Sequence, residues 1–130
     1  MKKSILNLGV ITLFVFAFIV SSCSKKNDTP APMTNLSYTL MTSPDTVKAN
    51  VLTTFTFEVM DMATNMNAVV TSPTCNITGL ATAAMPLTKV SEGKFTGQYT
   101  FTSMGTANFR FGCMDNMAMA QSHDFTVTVK

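Results

Sequence analysis

The chain has 130 residues. From Cys23 onward its seven Lys and Arg are matched by seven Asp and Glu, so the formal net charge of +2 belongs to Lys2 and Lys3 at the start. A neutral body excludes nucleic acid as a partner, since that requires a basic footprint, and it offers no polybasic attraction to lipid headgroups.

In chain order, the first element is a basic Met1-Lys2-Lys3, an apolar run over residues 10–20, and Val20-Ser21-Ser22-Cys23. This is the layout of a secretory signal. A transmembrane helix is the competing reading, but the run is short for a ~30 Å hydrocarbon core and leaves the small residues before the cysteine unexplained. Those residues resemble the lipobox of bacterial lipoproteins. The resemblance implies that residues 1–22 are a signal peptide removed before Cys23, and that Cys23 carries a diacylglyceryl group and an acylated amino group. Several acyl chains on one residue hold a protein on a bilayer where a single chain would not. The expected location is therefore the bacterial cell envelope, anchored to the lipid bilayer through acylated Cys23. Ser24, by resemblance to known sorting patterns, favours the outer membrane, with the domain facing the periplasm or the cell surface.

Residues 23–35 follow as the lipidated cysteine and a polar tether containing Pro30 and Pro32. Residues 36–130 remain for one two-layer core. Periods of two dominate there. Residues 36–42 read as a first strand. Phe55, Phe57 and Val59 alternate with Thr54, Thr56 and Glu58; Phe95, Tyr99 and Phe101 with Thr96, Gln98 and Thr100. Ala107, Phe109 and Phe111 alternate with Asn108 and Arg110; Phe125, Val127 and Val129 with Asp124, Thr126 and Thr128. Half-buried antiparallel strands give this pattern. Residues 68–80 hold one or two more strands, with Pro73 tolerated only at a strand start, an edge or a bulge. No stretch beyond the signal has apolar residues at helical spacing. The prediction is an all-β, antiparallel sandwich of about seven strands.

The last segments, Phe109-Arg110-Phe111-Gly112-Cys113-Met114-Asp115-Asn116 and Phe125-Thr126-Val127-Thr128-Val129, resemble the final hairpin of bacterial immunoglobulin-like domains. A narrower likeness covers residues 47–129. Glu92-Gly93-Lys94-Phe95-Thr96-Gly97-Gln98-Tyr99-Thr100-Phe101-Thr102-Ser103-Met104-Gly105-Thr106, with Met85-Pro86 upstream, is similar to the corresponding stretch of YtkA-like domains. The Trp usual after its last glycine is missing, since the chain has none. The resemblance implies a small exported immunoglobulin-like domain of a kind often found with copper-handling genes, and hence a copper-handling envelope protein as a partner.

Ten of the eleven methionines lie beyond Cys23. Met60, Met62 and Met66 form one group; Met114, Met117 and Met119, with the single histidine His123 just after them, form another. Most fall between strands or off their inward phase, where core residues do not belong. In an immunoglobulin-like sandwich the loop after the strand near 51–60 and the loop before the strand near 123–129 share one end. The thioether is a soft ligand suited to Cu(I) and has no proton to lose. These seven residues are the expected ligands of Cu(I) or a similar soft metal, in a chaperone or a sequestering protein. Met33, Met41 and Met104 read as ordinary packing residues.

With Cys23 lipidated, Cys75 and Cys113 remain as a candidate disulfide. That bond requires the third strand to begin near Pro73, so that Cys75 lies beside the strand carrying Cys113; otherwise Cys113 is a candidate thiolate ligand. No enzyme is expected. His123 has no nucleophile near it in sequence, and Asp61 and Asp115 read as turn residues. The alternative function is a non-catalytic envelope or cell-surface interaction module whose methionine loops touch a partner.

Overall fold

The computed structural model describes residues 35–130. The signal peptide, the Cys23 lipidation site, almost all of the tether and Met33 lie outside these residues. The described part is all-β, with nine strands: β1 (Leu36–Ser43), β2 (Leu52–Asp61), β3 (Met66–Asn67), β4 (Thr71–Gly79), β5 (Ala83–Ala84), β6 (Thr88–Ser91), β7 (Lys94–Thr100), β8 (Gly105–Met114) and β9 (Ala120–Val129). One sheet runs β1-β2-β7-β6, with β3 added to the end of β2; the other runs β5-β4-β8-β9. Every pairing is antiparallel. The predicted antiparallel β-sandwich with an immunoglobulin-like arrangement is the fold observed.

The alternation read from the sequence sets which side of each strand is buried. On β2, Phe55, Phe57 and Val59 point inward; on β8, Ala107, Phe109, Phe111 and Cys113 do. The two sheets meet through their phenylalanines. Phe55 lies 4.7 Å from Phe109, and Phe57 stacks on Phe111 at 5.1 Å. Phe95 and Phe101 close the same cluster against Phe111 and Phe109. Truncating one such ring costs about 3–5 kcal/mol. This aromatic layer fills the core of a chain with no tryptophan.

Residues 68–80 form one strand, β4, not two. Its pairing with β8 shifts register between Thr71 and Thr74, and Ser72 has φ 50. Pro73 thus sits in a bulge, where its missing N–H disturbs no ladder bond. Among the described residues, Met85 is the one methionine buried in the core, at 3% exposure. It packs on Gly97, where an added Cβ would meet the Met85 Sδ and the Pro86 carbonyl oxygen at 2.9 Å. That contact ties the Met85-Pro86 pair to the glycine before Tyr99. Met41 and Met104, expected to pack, are exposed instead, at 43% and 71%. Met41 continues the outward phase of β1, opposite Thr56, and Met104 lies in the turn before β8.

The expected Cys75–Cys113 disulfide is not formed, and both residues are free, buried thiols. β4 does run beside β8, as that bond required. However, the register sets Cys75 opposite Phe111, so Cys113 is its diagonal neighbour, two residues along. Diagonal Cα atoms on paired strands are roughly 7–8 Å apart, beyond the usual reach of a disulfide.

Candidate metal centre at the methionine end

Two turns lie at the end of the sandwich where β2 and β8 finish. The first follows Asp61. Its Oδ1 accepts a bond from the Ala63 N–H at 2.9 Å and its Oδ2 one from the Thr64 hydroxyl at 3.1 Å. The Asn65 N–H donates to the Asp61 carbonyl at 2.8 Å, and Asn65 takes the left-handed conformation, φ 55. The turn carries Met62 and leads into Met66. The second follows Asp115. Its Oδ1 accepts from the N–H groups of both Met117 and Met119 at 2.9 Å, and its Oδ2 accepts from the Gln121 side chain at 3.1 Å. Ala118, at φ 57, closes it. The two aspartates thus hold their own turns, as their sequence setting predicted, and are occupied in doing so.

Asp115 is only 4% exposed. The backbone N–H of Met119 holds its carboxyl below the usual carboxylate range, with the Met117 N–H and the Gln121 amide adding to the effect and burial opposing it. A buried carboxylate with three donors is a satisfied charge.

The structure brings some of the expected ligands together and separates others. Met62, Met66, Met117 and Met119 all lie at this end, between 40% and 67% exposed. Met66 is paired opposite Asp61, which continues the inward phase of β2. Met119 is hydrogen-bonded opposite Asp115, on the inward phase of β8. Each therefore lies on the inner phase of its own sheet, just beyond the core, Met66 on the β7 side of β2 and Met119 on the β9 side of β8.

Met60 and Met114 do not converge. Met60 continues the outward phase of Glu58 on β2, and Met114 that of Arg110 on β8. Their side chains leave by opposite outer faces of the sandwich. His123 is also apart. It is paired opposite Phe111, four residues beyond Met119, which is roughly 13 Å along a strand. Its ring stacks on Tyr38 at 5.1 Å and meets the edge of Phe125 at 4.7 Å.

Sequence reasoning missed Tyr38. Burial pushes its hydroxyl up to about 12, with Cys113 the next contributor. Burial likewise raises the Cys113 thiol, and pushes that of Cys75 up to about 12. Metal-binding cysteine is the thiolate, and burial works against that form in both. Among the described residues no group of three or more His, Cys, Asp or Glu is placed to hold a metal ion. The donors this end offers are thioethers.

The architecture defines the class of protein: an immunoglobulin-like β-sandwich with a thioether-rich end. No protein-family model matches the chain, and no curated protein is similar to it.

Proposed function

We propose that this domain is a non-catalytic binding protein for Cu(I) or a similar soft cation. It would be exported and held on the envelope membrane by acylated Cys23, and would receive or deliver its ion through a copper-handling envelope protein, as the YtkA-like resemblance suggests. The observation that carries the reading is the group of four exposed methionines, Met62, Met66, Met117 and Met119, on two aspartate-held turns at one end of the sandwich. Exposed thioethers add nothing to the core, and two or three of them satisfy Cu(I) without any ionisation. We leave Met60 and Met114, on opposite outer faces, and His123, farther along β9, out of the proposed ligand set. Since no ligand titrates, capture is independent of pH over the range in which the fold is stable.

A second reading keeps the same residues as an apolar contact surface for a partner protein. Val69, 53% exposed and three residues after Met66 in the chain, favours it, because a metal site does not need an exposed valine. Titration of the full chain with Cu(I) against a competing chelator separates the two. The copper reading expects the Met66→Leu/Met119→Leu variant to lose affinity by orders of magnitude while keeping its β-sheet spectrum. Equal affinity in the native chain and in a variant with Met62, Met66, Met117 and Met119 all changed to Leu would sink it, because leucine keeps the apolar surface and removes the ligand.

A further inference from the structure

The described residues divide their sulfur sharply. Cys75 and Cys113 are free thiols, 2% and 4% exposed, and Met85 is buried in the same core. Seven methionines, by contrast, are between 40% and 71% exposed, and they are most of the eleven large apolar side chains that reach solvent among these residues. Methionine usually fills gaps in cores, where oxidation to the sulfoxide puts a polar group among apolar neighbours. Here the thioethers lie outside and the thiols inside.

Each of the seven positions accepts a polar sulfoxide. Met41 and Met114 continue the outward phases of β1 and β8, and Met104 lies in the turn before β8. Met62, Met66, Met117 and Met119 stand in or beside the two aspartate-held turns. Those turns are held by backbone groups and carboxylates. The N–H groups of Met117 and Met119 donate to Asp115, and that of Met62 donates to the Asn35 carbonyl at 2.9 Å. None of these bonds uses a thioether. An oxygen added at such positions meets water, so it creates no buried polar group without a partner.

We infer that these seven thioethers are oxidation sites, each taking one oxygen atom from a hydroperoxide while the fold, Met85 and both cysteines stay intact. In each event the sulfur lone pair attacks the peroxide. One S–O bond forms and the O–O bond breaks; sulfur loses two electrons and hydrogen peroxide is reduced to water. The domain is thereby a stoichiometric acceptor of seven oxygen atoms, not a catalyst. The ordinary first target of a peroxide, an accessible thiolate, is withheld. Burial covers both thiols and also raises them, that of Cys75 to about 12. Met41, Met104 and Met114 lie outside the proposed ligand set, so this activity does not depend on a bound metal.

Stepwise addition of hydrogen peroxide to the metal-free full chain tests this, with peptide mass mapping and far-UV circular dichroism after each dose. The seven methionines are expected to become sulfoxides with the β-sheet spectrum unchanged. Met85 is expected to react roughly tenfold or more slowly, and Cys75 and Cys113 to stay reduced. Mapping reads each residue separately, so half-buried Met60, and Met33 outside the described residues, do not enter the result. A sheet spectrum lost before the seven are oxidised overturns the inference. So does oxidation of Cys75 or Cys113 alongside them, or of Met85 at the same rate. A variant with all seven changed to Leu should consume seven fewer equivalents of peroxide than the native chain. Equal consumption by the two would also overturn it.

Discussion

Asp61 and Asp115 each close a methionine-bearing turn at the same end of the sandwich, but with different grips. Asp61 uses its carboxylate on a neighbouring N–H and a threonine hydroxyl, both exposed, and leaves Met62 and Met66 to be positioned by their neighbours. Asp115 is buried and takes the backbone N–H groups of Met117 and Met119 directly, with the Gln121 amide as a third donor. The left-handed positions differ in the opposite sense. Asn65 suits that conformation, whereas Ala118 is forced into it. One turn is thus a tight, charge-held platform and the other a looser arm. A soft ion approached from both sides would meet one fixed pair of thioethers and one adjustable pair.

The largest effect is expected from Asp115→Ala. It removes the acceptor of three donors and leaves two backbone N–H groups part-buried without a partner. The melting temperature should fall by several degrees, and amide exchange at Met117 and Met119 should rise sharply. Asp61→Ala removes two exposed bonds and should cost only about 0.5–1 kcal/mol. Equal losses in the two variants would erase the contrast between the turns.

Acid offers a second handle on the same difference. The folded pKa of Asp115 is lowered, chiefly by the Met119 N–H. Its contribution to stability is therefore present above the ordinary carboxylate value of about 3.9 and is lost as pH falls through the folded pKa. Asp124, lowered by its hydrogen bonds with Arg110, adds in the same direction, but as an exposed pair it counts for less. Denaturant midpoints measured from pH 5 downward should fall less steeply for Asp115→Asn than for the native chain. An unchanged slope would mean that the Asp115 charge does not hold its turn.

The phenylalanine strands were legible because their inward and outward residues differ so sharply: Phe against Thr on β2, Phe against Asn and Arg on β8. The same rule fails for β3, β5 and β6. Two of these are two residues long, and all four residues of β6 are exposed, so no alternation marks them. They exist because β2, β4 and β7 offer edges to pair with. The placing of the two methionine turns at one end followed from topology, but the choice among the methionines depended on phase. Met60 continues Glu58 and Met114 continues Arg110, a pattern visible along each strand once both outer faces are considered. The absence of a Cys75–Cys113 bond was not legible, because it turns on a two-residue offset in the β4–β8 register. An even number of cysteines says nothing about that offset.

The smallest expected effect discriminates between the turns most directly, because it touches no methionine and no carboxylate. Ala118→Gly relieves a side chain held at φ 57. The left-handed conformation costs an ordinary L-residue roughly 1–2 kcal/mol, and the extra unfolded-state entropy of glycine returns about 0.5–1 of it. The net gain should be about 0.5–1 kcal/mol, read as a higher denaturant midpoint at constant slope. Asn65→Gly starts from a residue already suited to φ 55 and should change stability by no more than a few tenths of a kcal/mol. If the Asp115 turn is the fixed platform, the stabilised Ala118→Gly protein also keeps its Cu(I) affinity, because the carboxylate and not the alanine sets where Met117 and Met119 stand. An affinity that falls as stability rises would instead make the strained alanine part of the site, and the two turns would have to exchange roles.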